Sequence, residues 1–261
     1  LLDTPSKVYF VSNGSLVSYD KDEEETYIYN SQNKLNDNNI DNIYYNPEKN
    51  YLAVVYDNSN IDLVYDNGKV VNLGDIKDSN LTASKKINYI TFGHDCIYVA
   101  ADFGVVIFDD EKLQVVESGI YNETINMFTR LGDHYVIHYK WAMWCAPVSS
   151  RINSLSKFEK YIDFDALAFQ PVDDTRLLVC NQYYEQGNIA SVTFDFNSKK
   201  AEFEYILQNF KSDRICYWKN GFYMNSGNGM LWVNDSLTEK GERPLGRGNA
   251  VVAIWDSADK G

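Results

Sequence analysis

The sequence predicts an all-β fold, a β-propeller of four-stranded blades with six repeats, and three observations predict it. The first is a recurring phrase: a hydrophobic strand, a turn rich in Asn, Asp or Gly, a second strand, then an acidic stop. KVYFVSNGSLVSYD (Lys7–Asp20), YLAVVYDNSNIDLVYD (Tyr51–Asp66), CIYVAADFGVVIFDD (Cys96–Asp110), RLLVCNQYYEQGNIASVTFDF (Arg176–Phe196) and GFYMNSGNGMLWVND (Gly221–Asp235) are five copies of it. The second is their spacing. With Asp20, Asp66, Asp109, Asp195 and Asp235 as phase markers the steps are 46, 43, 86 and 40, the 86 being two periods with one degenerate copy between. The third is the strand content, four per period, which together with a period of about 40–45 residues is the signature of a propeller blade.

Each repeat divides into strands A to D. The A strands are IDNIYYN (Ile40–Asn46), INYITFG (Ile87–Gly93), INMFTRLG (Ile125–Gly132), FDALAFQ (Phe164–Gln170), RICYW (Arg214–Trp218) and AVVAIW (Ala250–Trp255). Their near-continuous apolar character fits inner strands buried on both faces. EETYIYN, GKVVNLG, KLQVVES and KAEFEYI are more polar, as outer edge strands must be to discourage edge-to-edge pairing. The D to A connections, such as Ser31–Asn39 and Lys77–Lys86, are built of turn-forming Asn, Asp and Ser. Ser154–Tyr161 is the one candidate for a helical turn.

The termini share one phase, because LLDTPSK, YYNPEKN and IWDSADKG occupy the same A to B turn of the repeat. The chain therefore spans six repeat lengths. Ala250–Trp255 is expected to supply the inner strand beside Lys7–Asn30, closing a six-bladed ring and removing its edges; the alternative is the start of a seventh blade. Residues 1–261 are read as a single propeller domain, a fragment of a longer multi-domain exported protein.

Composition excludes several function classes. The formal net charge of −13 opposes nucleic-acid binding, which requires a concentrated basic surface. No apolar run approaches the about 20 residues that span a bilayer, so no transmembrane segment is expected in this chain. Cys96, Cys145, Cys180 and Cys216 lack the close pairing of zinc or redox motifs and read as buried free thiols.

Enzyme templates fail as well. The chain has no Gly-x-Ser-x-Gly elbow, phosphate loop or His-Glu-x-x-His, so no catalytic residue, metal site or cofactor is expected. His94 and His134 fall at equivalent A to B turns and read as solvent-exposed turn residues, and His138 as a satisfied strand histidine. Asp20–Glu25 lacks the alternating ligands of a calcium loop. Asp66 and Asp109 read as turn residues that bond nearby backbone amides.

One segment breaks the repeat. YVIHYKWAMWCAPVSS (Tyr135–Ser150) replaces the tidy turn with two tryptophans, and irregularity inside a regular array points to function. Its B to C connection, with Tyr139, Trp141 and Trp144, is expected on the same rim as the fifth-blade connection bearing Tyr183, Tyr184 and Gln186. Those six residues are the candidate ligand-binding platform, with aromatic faces for a sugar ring or a peptide anchor. The competing reading of the same aromatics is packing between blades.

Over VVYDNSNIDLVYDNGKVVNLGDI (Val54–Ile76) and INYITFGHDCIYVAADFGVVIFDDEKLQV (Ile87–Val115) the chain resembles the N-terminal propeller of PorZ-type proteins of Bacteroidetes. A "YDNxNIDL" phrase, an "N(L/I)xDI" phrase and an "FGVV" turn fall in order within Val8–Met127; the Trp141–Trp144 segment departs from the pattern. The resemblance implies an exported protein, periplasmic or at the cell surface, associated with type IX secretion, with a sortase partner and anionic lipopolysaccharide. More distantly the chain is similar to periplasmic propellers of hybrid two-component sensors, which bind glycan fragments. Neither family brings catalytic residues. Two readings follow: a non-enzymatic envelope scaffold that docks protein partners and an envelope glycan, or a glycan-sensing or substrate-capture module of a hybrid two-component regulator.

Overall fold

The computed structural model describes residues 2–244 apart from 5, 184–185, 219–220 and 227–228. Blade one comprises β1 (Leu2–Asp3), β2 (Lys7–Ser12), β3 (Ser15–Asp20) and β4 (Thr26–Tyr29); blade two β5 (Ile40–Asn46), β6 (Tyr51–Tyr56), β7 (Ile61–Tyr65) and β8 (Val70–Leu73). Blade three holds β9 (Ile87–Gly93), β10 (Cys96–Ala101), β11 (Gly104–Asp109) and β12 (Gln114–Ile120); blade four β13 (Met127–Leu131), β14 (His134–Tyr139), β15 (Ala142–Pro147) and β16 (Glu159–Asp163). Blade five holds β17 (Ala168–Pro171), β18 (Arg176–Tyr183), β19 (Gln186–Asp195) and β20 (Lys200–Gln208); blade six β21 (Cys216–Trp218), β22 (Gly221–Ser226), β23 (Gly229–Asn234) and β24 (Lys240–Pro244). Each blade is one four-stranded sheet with its strands in sequence order. The molecule is a six-bladed β-propeller.

Among the described residues, two short helical turns interrupt the β structure. Asp75–Asp78 forms a single turn, α1, on the connection from blade two to blade three. Leu155–Lys157 forms a 3₁₀ turn started by Ser154, whose hydroxyl accepts the Ser156 amide; the helical signal around Ser154–Tyr161 is this turn followed by β16. The inner-strand position of blade one is held by Leu2–Asp3, with Leu2 opposite Tyr9 and Asp3 opposite Val8. Ala250–Trp255, expected there from the sequence, lies outside the described residues.

Burial explains the strand patterns. Every residue of β6 is buried, whereas most of β4 and β12 is exposed, because B and C strands are covered on both faces by neighbouring blades and D strands form the circumference. Alternate residues of one strand serve different seams. Ile97, Val99 and Ala101 pack with blade two, while Tyr98 and Ala100 pack with Phe128, Tyr135 and Ile137 of blade four. Corresponding clusters fill the seams between blades one and two, four and five, and five and six. Cys216 of blade six packs against the cluster containing Leu2 and Tyr9, which brings the last described blade back to the first.

The A strands converge on Tyr89. Its ring packs against three of these clusters, meets Tyr44 edge-on at 5.3 Å and lies 6.0 Å from Phe169, whose carbonyl accepts its hydroxyl at 3.2 Å. Burial holds its pKa well above the usual range. This half-buried aromatic with a bonded hydroxyl packs where the A strands meet and lines a void of about 70 Å³.

Most phase-marking aspartates close the turn after strand C. The Oδ1 atoms of Asp20, Asp109 and Asp195 each accept backbone amides two and three residues ahead. In blade six the Asn234 Oδ1 accepts the amides of Thr238 and Glu239, four and five residues ahead. Asp66 differs from expectation: its carboxylate accepts the Ser6 hydroxyl at 2.8 Å and its carbonyl the Lys7 ammonium at 2.7 Å, tying blade two to blade one.

Candidate functional site

The irregular fourth-blade segment is a two-residue hairpin. Tyr139 pairs with Ala142, leaving Lys140 and Trp141 as the turn, with φ of 47° and 56°. Both signs are those of a type I′ turn, which favours Asn-Gly. Blade one obeys that preference with Asn13-Gly14 at φ 49° and 73°. Blade four instead forces a tryptophan into the left-handed region and leaves it 74% exposed. Isolated surface apolars are ordinary, but this one sits in a backbone state costing roughly 1–2 kcal/mol for a residue with a Cβ.

The rest of the expected platform is distributed differently. Tyr139 is buried in the seam between blades three and four, and half-buried Trp144 packs against it at 6.0 Å while donating its indole N–H to the Tyr139 carbonyl at 3.1 Å. These two aromatics anchor the hairpin. Lys140 lies 4.7 Å over the Tyr139 ring and 3.4 Å from Glu123. The side chains of Tyr183 and Gln186, and the whole of Tyr184, lie outside the described residues. Of the six expected residues, Trp141 is the one that the described structure presents to solvent.

Beneath that hairpin lies a polar nest between blades four and five. His138 on β14 is 1% exposed; its Nδ1 faces the Asn126 amide at 3.3 Å, and its Nε2 lies 3.5 Å from the Asp165 carboxylate without a hydrogen bond. Asn181 of β18 donates to the Asp165 carbonyl at 2.6 Å, while its own oxygen has no partner. Burial pushes the His138 pKa down to about 4 against the pull of Asp165. The satisfied strand histidine expected from the sequence is thus satisfied on one nitrogen only. His134 also departs from its expected exposure: it stacks on Phe196 of blade five at 4.0 Å, and burial lowers its pKa.

The phrase that carries the family resemblance is structural. Asp62, fully buried, accepts the Asn36 amide N–H at 2.7 Å, the Asn36 side chain at 2.9 Å, the Tyr56 hydroxyl at 2.6 Å and Asn72 at 2.8 Å. Asp37 accepts Lys77 and Asn58 at 2.6 Å each and Asn60 at 3.3 Å, and the bonds from Lys77 and Asn58, outweighing partial burial, bring its pKa down to about 2. These bonds fasten the loop from blade one to the rim of blade two. The FGVV turn is equally constrained. Gly104 has φ 140°, and a Cβ there would lie 1.9 Å from the Gly119 carbonyl oxygen.

A cavity of about 480 Å³ opens on the opposite, A to B turn, face, lined by residues of blades two to six that include Phe92, Arg130, Tyr217 and Phe222. Sequence reasoning missed it because its lining comes from turns of five repeats, none unusual alone; exposed His94 and the phase marker Asp235 are the lining residues singled out beforehand. All four cysteines are free, Cys145 and Cys180 buried and Cys96 and Cys216 half-buried. Among the described residues, no group of three or more His, Cys, Asp or Glu could hold a metal ion, and no helix is long and apolar enough to cross a membrane.

Comparison with known proteins places this architecture. Residues 8–158 match the family described as the type IX secretion system PorZ N-terminal β-propeller domain. The structure of PorZ, a surface component of the type IX secretion system of Porphyromonas gingivalis, superposes with a TM-score of 0.75 at 18% identity; the match covers 94% of this chain but 32% of that one. The chain thus spans about a third of the length of that PorZ. The WD40 propeller of Doa1 follows the fold with a TM-score of 0.64 at 11% identity, covering 93% of this chain and 80% of that one. The extracellular domain of a putative hybrid two-component system from B. thetaiotaomicron gives 0.63 at 13%, covering 95% and 36%. No curated protein matches the sequence. With the family match extending over more than half the sequence, from β2 of blade one to the start of the D strand of blade four, the chain belongs to the PorZ N-terminal β-propeller family.

Proposed function

We propose that this propeller is a non-catalytic binding and scaffolding domain of an exported cell-envelope protein, docking protein partners through the rim that carries Trp141. The observation that supports it is the hairpin tip of blade four. A 74% exposed tryptophan occupies a left-handed turn position where glycine is favoured, and buried Tyr139 and Trp144 fix the hairpin from behind. Rigidly presented aromatics are the side chains that carry interface energy. The family supplies the context of secretion and surface assembly, and its resemblance implies a sortase partner.

The second reading is capture of an envelope glycan, such as lipopolysaccharide, or glycan sensing in a two-component regulator. The same tryptophan favours it, since an exposed indole face stacks on a sugar ring. Calorimetric titration of the purified chain with the sortase of the same envelope and with lipopolysaccharide fragments, wild type beside Trp141→Gly, tests both. Saturable sortase binding lost in the variant supports docking, and glycan binding lost in the variant supports capture. Binding of either that is indifferent to Trp141 would remove the rim from the reading.

A further inference from the structure

The sequence contains four Asn-Gly dipeptides: Asn13-Gly14, Asn67-Gly68, Asn220-Gly221 and Asn228-Gly229. Glycine has no Cβ to shield its backbone nitrogen, so that nitrogen can reach the side-chain carbonyl of the asparagine before it. Asn220 and Asn228 lie outside the described residues. The other two are held in different ways.

At Asn67 both reacting groups are occupied. The Gly68 amide donates to the Tyr65 carbonyl at 2.9 Å, the Asn67 Oδ1 accepts the Lys69 amide at 3.0 Å, and the Lys34 ammonium lies 3.3 Å from the Gly68 carbonyl. At Asn13 neither group is. Among the described residues, the Asn13 side chain and the Gly14 amide have no hydrogen-bond partner. Apart from its chain neighbours, no described atom lies within 4 Å of the point where a Gly14 Cβ would stand. Both residues are exposed. They form the whole of a two-residue turn beyond the last strand pair, Ser12 opposite Ser15.

We propose that Asn13 is a site of spontaneous deamidation in the folded protein, reacting ahead of Asn67. The Gly14 nitrogen attacks the Asn13 side-chain carbonyl carbon. A bond from that nitrogen to Cγ forms, the Cγ–Nδ2 bond breaks, and the amide proton departs with Nδ2 as ammonia. Water then opens the resulting five-membered imide. Cleavage at Cγ gives aspartate, and cleavage at the main-chain carbonyl gives isoaspartate, in which the backbone runs through Cγ. No oxidant or reductant takes part, and each event adds one negative charge.

The φ of 49° at Asn13 belongs to the closed turn, so the tip must swing about the Asn13 Cα–C bond before attack. At an exposed hairpin end that motion is a local opening of low cost. The dipeptide best suited to this turn is therefore also its chemically weak point. Isoaspartate lengthens the backbone between Ser12 and Ser15 and removes the two-residue geometry. The site does not depend on Trp141.

The purified chain is incubated in mildly alkaline buffer, folded and in urea. Asn13 and Asn67 are followed in parallel by peptide mapping with mass spectrometry, and isoaspartate methyltransferase labelling identifies the linkage. In the folded chain Asn13 is expected to convert about fivefold or more faster than Asn67, because the Gly68 hydrogen bond must break before attack. In urea, where both turns are open, the two rates are expected to converge. Gly14→Ala is expected to slow Asn13 in urea as well, since a Cβ shields the nitrogen whether or not the variant folds. Equal rates in the folded chain, conversion of Asn67 first, or an Asn13 that reacts only in urea would each overturn the assignment.

Discussion

At the scale of single residues, the polar groups that stand out are arranged to hold loops. Asp62 is a buried carboxylate with four donors, and removing it leaves the two Asn36 donors and the Tyr56 hydroxyl without a partner. Asp62→Ala is expected to destabilise the fold by at least about 3 kcal/mol and Tyr56→Phe by about 1–2 kcal/mol, read from urea unfolding midpoints. The sequence displayed this phrase as a family marker without revealing its role, because the donors come from Asn36, Tyr56 and Asn72 on separate segments that only the fold assembles. His138 has a pH consequence. Its folded pKa of about 4 lies below the ordinary 6.5, so the unfolded chain binds the proton more readily. Its neutral-state advantage is complete above pH 6.5 and is lost as pH falls from 6.5 to 4. Thermal unfolding between pH 7 and 4 should show a decline that His138→Gln flattens; an unchanged slope in the variant would remove His138 as its source. Asp37, held near 2, acts lower, its contribution fading between about pH 4 and 2.

Elements were legible wherever period and pairing agreed. The B–turn–C phrase maps onto β2–β3, β6–β7, β10–β11, β18–β19 and β22–β23, because apolar strands flanking a polar turn carry their own register. Less was legible where tertiary context decides. The Leu2–Asp3 strand is too short to signal itself, α1 is a single turn, and the fourth blade hid β16 behind a 3₁₀ turn. The candidate platform was half-legible. Sequence irregularity found the hairpin, but side-chain direction in the pairing assigned Tyr139 to the core and Trp141 to solvent. Glycine use at elements is testable too. Gly104→Ala brings a Cβ onto the Gly119 carbonyl at a φ that side chains avoid, and a loss of about 3 kcal/mol or more is expected from clash and strain together. A variant as stable as the parent in a thermal melt would contradict that geometry.

At the scale of the whole molecule, stability resides in the seams. Each described blade is too thin to bury its own faces, and aromatic residues fill the space between sheets. Phe128 is an example, meeting Tyr98 at 5.4 Å and Tyr135 at 5.6 Å. Phe128→Ala should cost about 3–5 kcal/mol and loosen blades three and four together, read as shared loss of amide protection in hydrogen exchange. The surrounding architecture was predictable from repetition alone, whereas the cavity on the A to B face was not, since its walls come from five blades. The exposed Trp141 and the cavity on the A to B face lie at opposite ends of this scaffold.

The central claim is that blade four retains an unfavourable turn for the sake of an exposed contact. Replacing Lys140-Trp141 by Asn-Gly tests it most directly, with melting temperature and binding to the envelope partner or lipopolysaccharide measured on the same preparation. Relief of the strained turn predicts a gain of about 1 kcal/mol together with lost binding. A variant that melts lower, or that binds as well as the wild type, would contradict the claim.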